Sequence, residues 1–174
     1  MSQRRPFTSL LLIAFTALTS LAACSSSDPP DLISTYGFAL EGEASQAQLD
    51  TFVHAKARDW GWAGGAFDAP EDGATLSADT ALTFTWHADR ADVPEDASDV
   101  VITHLLLFSS KRYGSLLKVF TSLPEYTPSA QDWQKLVDAG EPITLSIMTG
   151  TFVGTDLPTG GGPFLGQTLT FTIE

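Results

Sequence analysis

The chain predicts a mainly β fold, a sandwich of two sheets with a helix near its start and a short helical insertion later. Three observations carry that expectation. Apolar residues recur at every second position in several segments: Leu82, Phe84 and Trp86 alternate with Thr83, Thr85 and His87, Ile143, Leu145 and Ile147 with Thr144, Ser146 and Met148, and Leu169, Phe171 and Ile173 with Thr168, Thr170 and Thr172. Threonine dominates the alternate positions, as on strands with one face in a core and the other in water. Val100 to Phe108 is apolar on both faces apart from Thr103 and His104, which suits a strand in the middle of a sheet or under a helix.

Residues 1–23 form a leader separate from that domain. Arg4 and Arg5 precede an apolar run, Leu10 to Ala23, which is interrupted by Thr16, Thr19 and Ser20 and falls short of the roughly 20 residues a membrane-spanning helix needs. The run ends in Leu21-Ala22-Ala23-Cys24, and Cys24 is the only cysteine. Small residues there suit the narrow site of a processing peptidase, and the thiol is the one nucleophile able to carry a diacylglycerol through a thioether. The segment resembles the bacterial lipobox. That resemblance implies cleavage between Ala23 and Cys24 and a mature chain held to a membrane by lipid on Cys24. A conventional signal peptide cleaved ahead of an incidental cysteine is the competing reading. Ser25 follows the cysteine where well-studied lipoproteins retained in the inner membrane carry aspartate, so the resemblance leans toward the outer membrane or cell surface. Arg4-Arg5-Pro6-Phe7 also resembles the twin-arginine export motif; the plainer reading is the positive region every signal peptide carries.

Removal of the leader from 174 residues leaves 151, enough for one domain with a real core. The leader takes two of the nine basic residues and none of the 21 acidic ones, so the mature part carries seven against 21, a net charge of −14. Such a surface repels phosphate backbones and makes nucleic acid an unsuitable partner. With Cys24 acylated no thiol remains for a disulfide, a thiolate metal site or a cysteine nucleophile.

Residues 24–31, with Ser25-Ser26-Ser27-Asp28-Pro29-Pro30-Asp31 after the cysteine, read as a tether too polar and proline-broken to pack. Residues 32–65 form an N-terminal strand and helix segment. Leu32 to Leu40 predicts a short strand. Ser45 to Trp60 predicts a helix, with Leu49, Phe52, Val53, Ala57 and Trp60 on one face, Gln46, Asp50, Lys56 and Asp59 on the other, and Ser45 with Gln48 as a capping box. The glycines of Trp60-Gly61-Trp62-Ala63-Gly64-Gly65 stop it. Residues 66–174 are the sandwich, which includes a further strand over Leu116 to Leu123. Thr127-Pro128-Ser129 opens the helical insertion, Trp133, Leu136 and Val137 form its buried face, and Gly140 with Pro142 closes it. That insertion should plug one end of the sandwich, anchored by Trp133.

Ala69-Pro70-Glu71-Asp72-Gly73-Ala74-Thr75-Leu76, followed by Leu82-Thr83-Phe84-Thr85-Trp86, resembles the opening of bacterial immunoglobulin-like and fibronectin type III-like domains. In these a proline and a glycine turn introduce a strand, and a tryptophan ends a later core strand. The likeness spans about residues 67–174 and lacks the cysteine pair of a true immunoglobulin domain. It implies a fold and a cell-surface setting, and carries over no catalytic residue.

Few residue patterns point to chemistry. His54, His87 and His104 lack the spacing of a metal site, and His104, on the face of Ile102 and Leu106, reads as a buried, hydrogen-bonded core residue. Asp89 to Asp99 offers five carboxylates in eleven residues but not the alternation and central glycine of a calcium loop, and reads as a solvated loop. Gly160-Gly161-Gly162-Pro163 lacks the lysine and helix of a phosphate loop and reads as a long hairpin connection. Ser109-Ser110-Lys111 is a hydroxyl and lysine cluster without a positioned partner. No catalytic, metal or cofactor site is assigned. Of the four tryptophans, Trp62, with Trp60 beside it, is the candidate for stacking a sugar ring. The sequence is read as a non-enzymatic envelope lipoprotein whose sandwich serves a structural or protein-interaction role with an envelope protein partner. A surface-anchored glycan-binding module is the alternative.

Overall fold

The computed structural model describes residues 31–59, 61–89 and 97–174. The leader with Ala23 and Cys24, the tether to residue 30, Trp60 and most of the acidic loop lie outside these described residues. In chain order the elements are α1 (Leu32–Tyr36), β1 (Phe38–Glu41), α2 (Gln46–His54), β2 (Arg58–Asp59), a 3-10 turn (Gly61–Gly64), β3 (Ala66–Ala69), β4 (Thr75–Leu76), β5 (Phe84–His87), β6 (Val100–Ser110), β7 (Gly114–Thr121), β8 (Glu125–Tyr126), α3 (Ala130–Asp138), β9 (Ile143–Val153) and β10 (Phe164–Ile173).

The fold is mainly β, with one mixed and one antiparallel sheet. The large sheet runs β1-β7-β6-β9-β10-β2, with β4 also paired to β10; the small one runs β3-β5-β8. Strands β7, β6, β9 and β10 are successive antiparallel neighbours, whereas β1, β2 and β4 join the edges in parallel. The two sheets enclose one core: Phe84 and Trp86 of β5 and Tyr126 of β8 meet Leu106, Phe108, Val119, Ile143, Leu145, Ile147, Leu169 and Phe171 of the large sheet. Phe84 lies 5.2 Å, centroid to centroid, from Phe108 and 5.4 Å from Phe171.

The opposite face of the large sheet is covered by the N-terminal segment. Leu32, Leu49 and Phe52 pack there on Leu105, Phe120 and Phe152, and Phe52 sits edge-on to Phe120 at 5.2 Å. A Cβ on Gly150 would strike the Phe52 ring, so glycine at that position makes room for the helix. The segment acts as a strap: β1 binds one edge of the sheet, α2 crosses its face and β2 binds the other edge. Burial from both sides accounts for the two-faced apolar composition of β6.

Several sequence expectations need correction. Leu32 to Leu40 is a helical turn followed by a strand. Asp31 accepts the Ile33 amide at 3.0 Å as N-cap, and Gly37, at φ 67°, adopts the left-handed conformation that ends α1. The helix expected over Ser45 to Trp60 starts as predicted, with the reciprocal Ser45–Gln48 capping box, but ends at His54. Ala55 turns extended so that Arg58 and Asp59 can pair with Phe164 and Leu165; a sheet edge offered to the backbone replaces the last helical turns. The strand placed at Leu116 to Leu123 lies at Gly114–Thr121, where it forms a hairpin with β6. The helical insertion lies where expected. Ser129 caps it by accepting the Asp132 amide, Trp133 and Leu136 are buried, and the Trp133 Nε1–H donates to the Ala78 carbonyl at 2.9 Å.

Candidate functional site

Of the proposed sugar-stacking residues, Trp60 lies outside the described residues and the Trp62 side chain outside the described side chains, but the backbone on either side of Trp60 is described. Arg58 and Asp59 pair with β10, and the Arg58 amide donates to the Pro163 carbonyl at 2.9 Å while its guanidinium lies 5.0 Å from the Phe164 ring centroid. The 3-10 turn then crosses β10 at close range. A Cβ on Gly64 would run into the Leu165 carbonyl, and one on Gly166 into the Gly64 carbonyl. Two glycines therefore permit backbone-to-backbone contact at this crossing.

A buried polar chain joins that crossing to the core. The Thr149 hydroxyl donates to the Gly64 carbonyl at 2.9 Å, which uses its single proton. It must then accept from His104 Nδ1, 3.0 Å away, so the neutral ring carries its proton on Nδ1. His104 is 5% exposed and its ring meets Trp86 edge-on at 5.5 Å, which makes it the hydrogen-bonded core histidine expected. Burial lowers its pKa to about 4. Protons therefore favour the unfolded chain, in which histidine titrates near 6.5. The stabilising effect of neutral His104 is complete above pH 6.5 and is lost as pH falls from 6.5 through 4, by at most about 3 kcal/mol. Urea midpoints taken from pH 7 to 4.5 should fall more steeply for the wild-type chain than for His104→Gln; parallel curves would contradict this account.

The other histidines are on the surface. His54 Nδ1 lies 2.8 Å from the Asp50 carbonyl, and His87 Nδ1 lies 2.7 Å from Asp68 Oδ1. Among the described residues no group of three His, Cys, Asp or Glu side chains converges on one point. Ser110 is buried and accepts the Tyr113 amide at 3.2 Å, a hairpin role. Gly160 to Gly162 lie in the connection from β9 to β10, where the Gly161 carbonyl accepts the Thr151 amide.

The most distinctive surface lies at the β6–β7 hairpin, and local sequence patterns did not single it out. Two adjoining hollows of about 350 and 270 Å³ share Leu116 and Lys135 as walls. Tyr113 borders the first, and Tyr36 and Lys118 the second. Both tyrosines are half exposed, at 52% and 51%. The cations around them are held in place. Lys118 Nζ donates to the Tyr36 carbonyl at 3.2 Å and stands 5.1 Å over the Phe38 ring, while Arg112 stands 5.1 Å over Tyr113. Lys135 Nζ donates to Asp132 Oδ1 at 2.7 Å; this bond and the one from Ser129 hold the Asp132 carboxyl below its ordinary range despite the opposing effect of burial. Four of the seven cations that follow residue 23, Lys111, Arg112, Lys118 and Lys135, lie on or beside this hairpin with three acids, Asp132, Asp138 and Glu141. Elsewhere acids outnumber bases by far. The signal in the sequence was this clustering of cations between residues 111 and 135.

Comparison with known proteins found no matching family model, no matching curated protein and no matching solved structure. Among the described residues, no helix is long and apolar enough to cross a membrane.

Proposed function

We propose that this chain is a cell-envelope lipoprotein, held at the outer membrane or cell surface by lipid on Cys24, whose domain serves as a non-enzymatic structural or protein-interaction module. The observation that carries this reading is Leu21-Ala22-Ala23-Cys24 at the end of a short apolar leader, with the chain's only cysteine in the position to be acylated. The first described element, α1, begins directly after the 24–31 tether. A tether of that length reaches about 25 Å when extended, which would keep the folded part near the lipid.

An immunoglobulin-like or fibronectin type III-like sandwich is the arrangement that best accounts for the strand order. In such folds the first, second and fifth strands share one sheet and the third, sixth and seventh the other. Strands β3, β5 and β8 match the former, and β6, β9 and β10 the latter, with β7 added beside β6. The pairing of β4 with β10 continues the segment after β3 onto the opposite sheet. The strap formed by residues 32–65 is an addition to that plan.

Replacement of Cys24 by serine tests the anchor. One acyl chain gives only marginal binding, at about 0.8 kcal/mol per buried CH₂, whereas the several chains of a bacterial lipoprotein cysteine hold a domain firmly. Cys24→Ser should move the protein from the membrane pellet to the soluble fraction. A variant that still sediments with membranes after a high-salt wash would refute the reading.

A further inference from the structure

The hairpin surface also contains an open sheet edge. Pairing of β1 with β7 begins at Phe38 opposite Lys118 and continues to Glu41 opposite Thr121. Gly114 to Leu117 of β7 pair with β6 on one side and, among the described residues, with no strand on the other. The reason lies in the strap. Leu32 is drawn into the core under α2, and Gly37 turns the chain, so the residues before Phe38 leave the edge instead of extending along it. What remains is a stretch of unmatched backbone beside the two hollows, bordered by Tyr36, Tyr113, Lys118 and Lys135.

We propose that this edge captures an extended, acidic peptide segment of a partner protein by strand addition, the backbone of β7 supplying hydrogen bonds and Lys118 and Lys135 selecting negative charge. The proposal rests on the interaction-module reading and names the surface it would use. Charge decides between occupants. A second copy would bring lysines against lysines and a net −14 against a net −14, which opposes self-pairing. An acidic strand instead meets the hairpin, where Lys111, Arg112, Lys118 and Lys135 face three acids, and Tyr36 and Tyr113 give its side chains aromatic surfaces to lie on. Lysines on an edge also deter unwanted pairing; that role alone predicts no selective capture of any strand.

The test is selection of a random dodecapeptide library, displayed on phage, against the mature protein in mild detergent. Enriched sequences should be acidic, rich in β-branched residues and free of proline. A synthetic copy of one should bind saturably, and at least ten-fold more weakly to K118Q/K135Q, with circular dichroism and cooperative urea unfolding showing that this variant keeps the fold. Methylation of alternate backbone amides in the peptide should weaken binding by a similar factor without altering the protein. Failure to enrich acidic sequences would overturn the proposal. Equal binding of the methylated peptide would also overturn it, leaving only charge attraction. Oligogalacturonate that binds as tightly and is weakened by the same substitutions would make the groove an acidic-glycan site instead. None of these outcomes bears on the Cys24 fractionation, so the anchor and the edge can fail separately.

Discussion

Trp86→Ala will lower the free energy of unfolding by about 3–5 kcal/mol, the range for truncating a buried large aromatic. Trp86 is 2% exposed, lies between the two sheets and contacts His104 at its side. The facing strands β6 and β9 are pinned by continuous pairing and cannot collapse into the void, which puts the cost toward the upper end. Trp86→Phe should behave differently. The indole Nε1 is buried with no hydrogen-bond partner among the described residues, so its removal relieves part of the loss in packing. Urea denaturation of both variants reads this directly. Phenylalanine should cost well under half as much as alanine, and equal costs would mean that the indole N–H is satisfied in solution.

Gly64→Ala is expected to cost about 3 kcal/mol, at the high end of overpacking, because the new methyl group meets the Leu165 main chain rather than a movable side chain. Gly166→Ala forces apart the same crossing from the other side. Since one displacement of the strap relieves both clashes, the double variant should cost clearly less than the sum of the singles. The strap would loosen at β2 first, where only Arg58 and Asp59 pair with β10. Single costs below 1 kcal/mol, or strict additivity, would show that the two backbones are not in contact.

The parts of the fold that were legible in the sequence are those set by local pattern. Phe84 and Trp86 point inward as their alternation with threonine predicted, and Ile143, Leu145 and Ile147 are buried while Thr144 and Ser146 are not. The Ser45–Gln48 capping box and the Ser129 cap were readable because a cap is made by residues three apart. What was misread depended on distant partners. Arg58 and Asp59 look helical until Phe164 and Leu165, more than a hundred residues on, offer an edge to pair with. Leu32 to Leu40 has strand-like composition, yet Leu32 gains more from the core under α2 than from extending the sheet edge. Two-residue strands such as β4 and β8 carry too little pattern to be seen. The hairpin groove joins residues 36, 113–118 and 135 from three elements, so only the bias in charge foreshadowed it.

If lipid on Cys24 anchors this domain to a membrane, as we propose, intact mass spectrometry of the protein extracted from membranes will read that lipid on the chain itself. The expected species is a chain that begins at Cys24, with an N-terminal peptide heavier by a diacylglycerol carried on sulfur. A chain that begins elsewhere, or a Cys24 recovered with a free thiol, would contradict it.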